Sequence, residues 1–331
     1  YLPQHIHTTL FFSDDELKEL QNSTLVKNTL MRKENALYFY DIISEWVKNS
    51  EYWEGDVFSE EEWLWALSVL WSRAFSVKVG DQPMGSLVPM ADLFNAYDPY
   101  RQDLQVKAKL EGEYLKYYTV KKIVQGEEIM MPYGKLKKHS NAELLLDYGF
   151  IRTSNPDDIA CIHNPYYYRK FSNYEEKKSL LERAGMWLES YCLTLEEFPH
   201  ELIWVMRVMS FISEDLEQYT FPKFRTLLQE LEKADLTKPM MSVPFGLSKE
   251  FAAIRLAENA IHKTLMYYET EIEEDVEILR KQYEKEISIT YPQYAATVLR
   301  YNEKRILHHT LYQLEEYTYH LEGATAQDII L

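Results

Sequence analysis

Tyr133 is the residue in this chain whose type and setting could do chemistry. It closes a short run of β-branched residues and methionine, Ile129-Met130-Met131-Pro132, and is followed by Gly134 and a polar loop. A short helix then runs from Ser140 to Tyr148-Gly149-Phe150, which returns an aromatic pair to the same neighbourhood. A phenol held at a strand end can hydrogen-bond and present a dipole to a neighbour without being consumed. Standing alone, it reads as a buried tyrosine bonded at a strand end. Arg73 lies upstream at a helix end, with Asp92-Leu93-Phe94-Asn95 beyond it. Alone, the Asn after Leu-Phe reads as a turn residue, the Arg as a helix-dipole or surface contact, and Tyr148 and Phe150 as packing.

Other chemistries find little support. His308 and His309 are adjacent, so on a helix they point to different faces and make a poor metal pair. His5 and His7 share a face if extended, yet no third ligand is evident. No metal site is expected, and the chain has neither a glycine-rich phosphate loop nor a G-x-S-x-G elbow. The two cysteines, Cys161 and Cys192, fall in no CxxC or CxC pattern. Neither a disulfide framework nor a cysteine zinc cluster is therefore expected, and the usage fits a reducing compartment.

The elements that must position these residues are partly legible. Ser13-Asp14-Asp15-Glu16, Ser59-Glu60-Glu61-Glu62 and Ser172-Asn173-Tyr174-Glu175 match the S-x-x-E capping box. The helix after Ser59 places Trp63, Leu67, Leu70 and Trp71 on one face. Gly80, Pro83 and Gly85 break the helical pattern. Leu104, Val106 and Ala108 then alternate with polar residues as a strand, Glu111-Gly112-Glu113 makes a turn, and Tyr114 to Val120 returns. Ile129 to Tyr133 reads as a further short strand after a turn at Gly126, so residues 77–135 form a compact, mostly β stretch. From Ser172 the periodicity is helical to Tyr319, broken near Pro199, Pro222, Pro239 and Pro244. Its longest candidate helices span 248–282 and 292–319, and a domain boundary is expected near 160–172, where Asn155-Pro156 and Asn164-Pro165 mark loops.

A length of 331 residues suggests two domains, and a hydrophobic fraction of 46% supports real cores. The net charge of -17 argues against a nucleic-acid surface, because a phosphate backbone would be repelled. It suits a basic protein partner, a cationic cofactor or simple solubility. No apolar run is long enough for a membrane span. Tyrosine is abundant, at 26 residues, with pairs at 117–118, 166–168 and 267–268 that read mostly as packing. The chain opens on Tyr1 without Met or a signal-like segment, so residue 1 reads as a boundary. A cytoplasmic or nuclear location is expected, with organellar import left open.

Four pieces in order carry a resemblance. They are Ser72-Arg73-Ala74-Phe75-Ser76, Leu87-Val88-Pro89-Met90-Ala91-Asp92-Leu93-Phe94-Asn95, Gly126-Glu127-Glu128-Ile129 running into Tyr133-Gly134, and Ser140-Asn141-Ala142-Glu143-Leu144 running into Asp147-Tyr148-Gly149-Phe150. Together they resemble the C-terminal half of a SET domain, in the branch typified by Rubisco large-subunit methyltransferase and the actin-histidine methyltransferase. Leu299 to Leu307 resembles the last long helix of that branch's helical substrate-binding domain. Tyr1-Leu2-Pro3 and Leu10-Phe11-Phe12 resemble the tail of the helical insertion inside its SET domain.

The resemblance implies an α+β fold: a small β-rich SET domain with a helical insertion, followed by an all-α substrate-binding domain. The expected partition is a partial SET domain over 1–165, with its insertion at 1–76 and C-terminal SET part at 77–165, and a helical domain over 166–331. The implied chemistry is methyl transfer from S-adenosyl-L-methionine to a protein. In this reading Tyr133 orients the incoming nitrogen and the methyl group. Asn95 holds the cofactor's amino group through its side-chain carbonyl. Arg73 meets its carboxylate or braces the site, and Tyr148, Gly149 and Phe150 flank the adenine and the target channel. Asp92, Leu93, Phe94 and Ala96 complete the cofactor side, while Phe75, Tyr133 and Tyr148 line the channel. Phe75, two past Arg73, matches the lysine-modifying members, so lysine is expected ahead of histidine. Two departures stand against the pattern. Asn-Ala replaces the family's Asn-His at 95–96, and the family's N-terminal SET segment with its Gly-x-Gly turn is not among these 331 residues. They motivate an alternative expectation, a non-catalytic relative kept as a structural or protein-binding subunit.

Overall fold

The structure is a computed structural model. It describes residues 2–79, 82–96, 104–112, 114–131, 133, 139–163, 169–196, 200–233 and 242–323, with backbone alone at Lys78, Val79 and His200. The features expected at Gly80, Glu113, Pro132, Gly134, Asn164-Pro165, residues 166–168, Pro199 and Pro239 lie outside these residues. Its contacts divide the chain into two compact units, one of Tyr1–Asp14 with Lys27–Ile151, the other of Asp15–Val26 with Arg152–Leu331.

The helices of the first unit start where local chemistry dictates. The short α1 (Asp14–Lys18) falls almost wholly in the second unit, and the 25-residue α2 (Thr24–Lys48) falls mostly in the first. In α3 (Glu60–Arg73) the Ser59 side chain accepts from the Glu62 backbone N–H, and the Glu62 carboxylate accepts from the Ser59 N–H at 2.7 Å. These two bonds satisfy two of the amide donors a helix start leaves open. The buried face of α3 is Leu64, Ser68 and Val69, not the expected row of Trp63, Leu67, Leu70 and Trp71. Leu70 and Trp71 are exposed, and Trp63 lies on the flank, donating from Nε1 to the Ala36 carbonyl at 2.8 Å.

Two antiparallel hairpins follow, β1 (Ala74–Val79) with β2 (Gln82–Leu87), and β4 (Val106–Glu111) with β5 (Tyr114–Thr119). Between them a 3-10 turn over Ala91–Leu93 leads into β3 (Asn95–Ala96). The later β6 (Met130–Met131) pairs with β3 in parallel, Asn95 opposite Met130 and Ala96 opposite Met131. The unit ends on α4 (Asn141–Asp147), capped by a second reciprocal pair between Ser140 and Glu143. Leu144 and Leu145 are wholly buried there, each worth about 2 kcal/mol by removal of apolar surface from water.

The second unit is mostly helical. It holds α5 (Tyr174–Arg183), α6 (His200–Met209), α7 (Ser213–Gln218), α8 (Phe221–Lys233), α9 (Leu247–Met266), α10 (Ile272–Tyr283) and the 33-residue α11 (Tyr291–Gly323). One antiparallel strand pair joins them, β7 (Ala160–His163) with β8 (Ser190–Leu193), α5 lying between the two in sequence. Trp204 packs edge-on to Phe224 and Phe245 in the core, the geometry that ring quadrupoles favour. Beside it the buried Arg207 grips both Glu250 oxygens at 2.8 Å, and the Tyr317 hydroxyl donates to one of them at 3.0 Å.

Three expectations need correction. The candidate helix over 248–282 is two helices. Glu269 and Thr270 donate their backbone N–H groups to the Gln21 side chain at 3.0 and 3.4 Å, and the Glu274 carboxylate accepts from the Glu271 N–H to start α10. Gln21 is remote in sequence, so helical periodicity carries no trace of the break. The capping box at Ser172 does not form. Asn173 takes a left-handed backbone, φ 56°, directly before α5 and sends its side chain to the Ser213 hydroxyl at 2.9 Å. Finally, the cysteines expected to be free form a disulfide, because β7 and β8 pair in the register that sets Cys161 opposite Cys192.

Candidate active site

The parallel β3–β6 pair brings the sequence-predicted residues of the first unit together. Tyr133, just beyond β6, donates its hydroxyl hydrogen to the Phe94 carbonyl, just before β3, at 2.9 Å. The phenol ring lies 5.1 Å from Tyr148 and 6.4 Å from Phe150, and those two rings are 6.0 Å apart. Desolvation by burial pushes the Tyr133 phenol above its ordinary value, with Arg73 acting downward and Asp92 upward. Burial likewise raises the Tyr148 phenol, reinforced by Asp147. Both are therefore neutral near pH 7. The hydrogen of Tyr133 is committed to Phe94, so its oxygen lone pairs remain as acceptors.

Arg73 braces the turn before β3 from the end of α3. It donates to the Asp92 carbonyl at 2.6 Å and lies 3.6 Å from the Asp92 carboxylate, which is buried. The turn it braces is entered through Met90, whose φ of 71° is unusual for a residue with a side chain. Leu93 is exposed and Ala96 half-buried. Phe75, half-buried on β1 opposite Ser86, makes no ring contact with the tyrosine cluster.

Gly149 closes the other side. Its φ is 77°, and a Cβ there would meet the His7 carbonyl carbon at 2.8 Å and the Thr8 nitrogen at 2.9 Å. The chain must therefore lack a side chain at this point for residues 7–8 to lie against the Tyr148-Gly149-Phe150 turn. Asp147, ending α4, is held by Arg32 at 2.5 Å, and the same guanidinium lies 5.1 Å over the Trp71 ring.

Sequence reasoning gave no site role to Glu128 or Gln105. Asn95 donates from Nδ2 to the Glu128 carboxylate at 2.6 Å. Gln105, buried, accepts from the Met130 N–H at 2.7 Å and donates to the Glu127 carboxylate at 2.9 Å and the Glu128 carbonyl at 3.2 Å. Nothing local marks either residue; a polar residue at the buried end of an alternating strand was the available signal for Gln105. Among the described residues no group of three or more His, Cys, Asp and Glu could hold a metal, and no helix is long and apolar enough to cross a membrane.

This arrangement stands on an α+β frame, and comparison with known proteins shows what the chain resembles. Residues 170–307 match the model of the Rubisco LSMT substrate-binding family. The structure of Rubisco LSMT bound to AdoMet superposes with a TM-score of 0.70 at 25% identity, covering 97% of this chain and 70% of that one. Rubisco LSMT bound to sinefungin and monomethyllysine gives 0.69 at 25% identity, covering 98% and 71%. A chloroplastic fructose-bisphosphate aldolase-lysine N-methyltransferase of Arabidopsis thaliana is 27% identical over 320 residues, 92% of this chain and 61% of the relative. Actin-histidine N-methyltransferase of Homo sapiens is 25% identical over 315 residues, 92% of this chain and 50% of the relative. The chain thus spans between half and about three fifths of the curated relatives it matches. The chain is thus similar along nearly its whole length to Rubisco LSMT and to protein methyltransferases of that kind, and its helical part matches the Rubisco LSMT substrate-binding model.

Proposed function

We propose that the protein is an S-adenosylmethionine-dependent protein methyltransferase, acting on a lysine of a protein with a basic segment. The observation that carries this is the Tyr133 hydroxyl bonded to the Phe94 carbonyl within the Tyr148–Phe150 ring cluster. The residues present fit such a cofactor. No described residue donates to the Asn95 Oδ1, which is an acceptor for an ammonium; Arg73 supplies a cation; Tyr148 and Phe150 supply flat apolar faces.

When bound, S-adenosylmethionine supplies an electrophilic methyl on a sulfonium. The protein's task is then mostly positioning, because nucleophile, methyl and leaving sulfur must lie in line. The Tyr133 oxygen offers a fixed acceptor dipole to a polarised methyl and to the N–H of the incoming amine. Its proton stays on the phenol oxygen, bonded to the Phe94 carbonyl, so Tyr133 needs no ionisation. Tyr148 and Phe150 exclude water from one side of that oxygen.

The preference for lysine rests on Phe75 and on the lysine-modifying relative; the histidine-modifying relatives are about as similar. The charge of -17 supports a basic segment in the substrate, which an acidic field would attract. The test is transfer of labelled methyl groups from S-adenosylmethionine to protein extracts by the full-length protein, followed by amino-acid analysis. Methyl-lysine supports the reading in full, and methyl-histidine corrects the acceptor. Cofactor binding without transfer to any protein favours the non-catalytic alternative that Ala96 motivates.

A further inference from the structure

We propose that Glu128 and Gln105 are positioning residues that aim the Asn95 carbonyl at the cofactor's ammonium group. This rests on the methyltransferase reading above and adds to it the device that sets cofactor recognition. An asparagine side chain presents a donor and an acceptor of nearly identical shape, and only its partners decide which points where. The Glu128 carboxylate is acceptor-only when ionised, so it fixes the amide with Nδ2 toward Glu128, at 2.6 Å, and Oδ1 on the opposite side. An ammonium can donate to Oδ1 and cannot donate to Nδ2. The orientation therefore selects a cation, and the adjacent negative charge of Glu128 favours it further.

Glu128 is itself placed by a buried residue. Gln105 is fully used within the 127–130 segment: Nε2 donates to the Glu127 carboxylate and the Glu128 carbonyl, and Oε1 accepts from the Met130 N–H. Its own carbonyl accepts from the Val120 N–H at 2.8 Å, which ties the segment to the β4–β5 hairpin. Met130 stands opposite Asn95 in the β3–β6 pair. One buried amide thus holds the strand that pairs with Asn95 and the backbone that carries the acid bonded to it.

The experiment compares two ligands by calorimetry on the full-length protein. S-adenosylhomocysteine carries the amino-acid end; 5′-methylthioadenosine lacks it and keeps the adenosine. Glu128→Ala weakens S-adenosylhomocysteine by about tenfold, the scale of one lost charge-assisted bond, and leaves 5′-methylthioadenosine unchanged. Glu128→Gln keeps an acceptor for Nδ2, and its loss is smaller. Equal weakening of both ligands by Glu128→Ala, or no change in either, overturns the proposal. If the unaltered protein binds neither S-adenosylhomocysteine nor S-adenosylmethionine, the methyltransferase reading itself fails and takes this inference with it.

Discussion

The Tyr133 hydroxyl and the Phe94 carbonyl are joined by a 2.9 Å hydrogen bond across the only parallel strand pair among the described residues. The bond fixes the direction of the phenol's proton and so leaves its lone pairs for a ligand. Tyr133→Phe keeps the ring among Tyr148 and Phe150 and removes the oxygen. Methyl transfer should fall by roughly a hundredfold, the scale seen on losing one preorganised polar group. Cofactor affinity and melting temperature should change little. Single-turnover transfer rates beside calorimetric binding check this; a variant with unchanged transfer would place the phenol outside the reaction.

Gly149→Ala tests the closeness of residues 7–8 to the aromatic turn. The added methyl meets the His7 carbonyl carbon at 2.8 Å, and alanine resists the φ of 77°. A loss of about 1–3 kcal/mol is expected from the backbone conformation alone, visible as a lower midpoint in denaturant. Gly185 has a similar φ of 73° with open space around it, so Gly185→Ala should cost less.

Glu303 gives the second unit a pH dependence. Burial pushes its carboxyl up to about 8, against hydrogen bonds from Ser23 and Tyr268 that act downward. A carboxyl raised above its unfolded value holds its proton in the folded state across the window from about 4.5 to about 8. Its contribution to stability is full below that window and is lost as pH rises through it, because the unfolded chain releases the proton first. Chemical denaturation at several pH values should show this decline, and Glu303→Gln should flatten it.

Reduction of the Cys161–Cys192 bridge should destabilise the second unit by about 3 kcal/mol, the scale expected for a closed loop of this size. Thermal melts with and without a dithiol reductant measure the shift. Peptide mapping under non-reducing conditions identifies the bridge, and finding both thiols free in the purified oxidised protein would remove it.

Glu250→Ala should cost about 3–5 kcal/mol, because it leaves Arg207 charged and buried without its partner. Replacing both residues by apolar ones of similar size should cost much less. A double-mutant cycle in denaturant separates the two cases.

The features legible in the sequence are those fixed by short spacing. The capping box at Ser59 binds a residue to one three positions on, a short helix starts at Ser140, and the β4–β5 hairpin turns about Glu111-Gly112. The ordered motifs from Arg73 to Phe150 carried the resemblance because each reports a local turn, strand end or helix end. The features that stayed hidden join residues far apart in the chain: Glu128 under Asn95, His7 against Gly149, Gln21 at the break between α9 and α10, and Cys161 opposite Cys192. Their formation depends on strand register and on which loops close, and neither is written in any window of sequence. The sequence by itself determined that a phenol stands at a strand end beside an aromatic turn. Tertiary structure alone decided where its proton points, since the accepting carbonyl belongs to Phe94, just before β3 and 39 residues away.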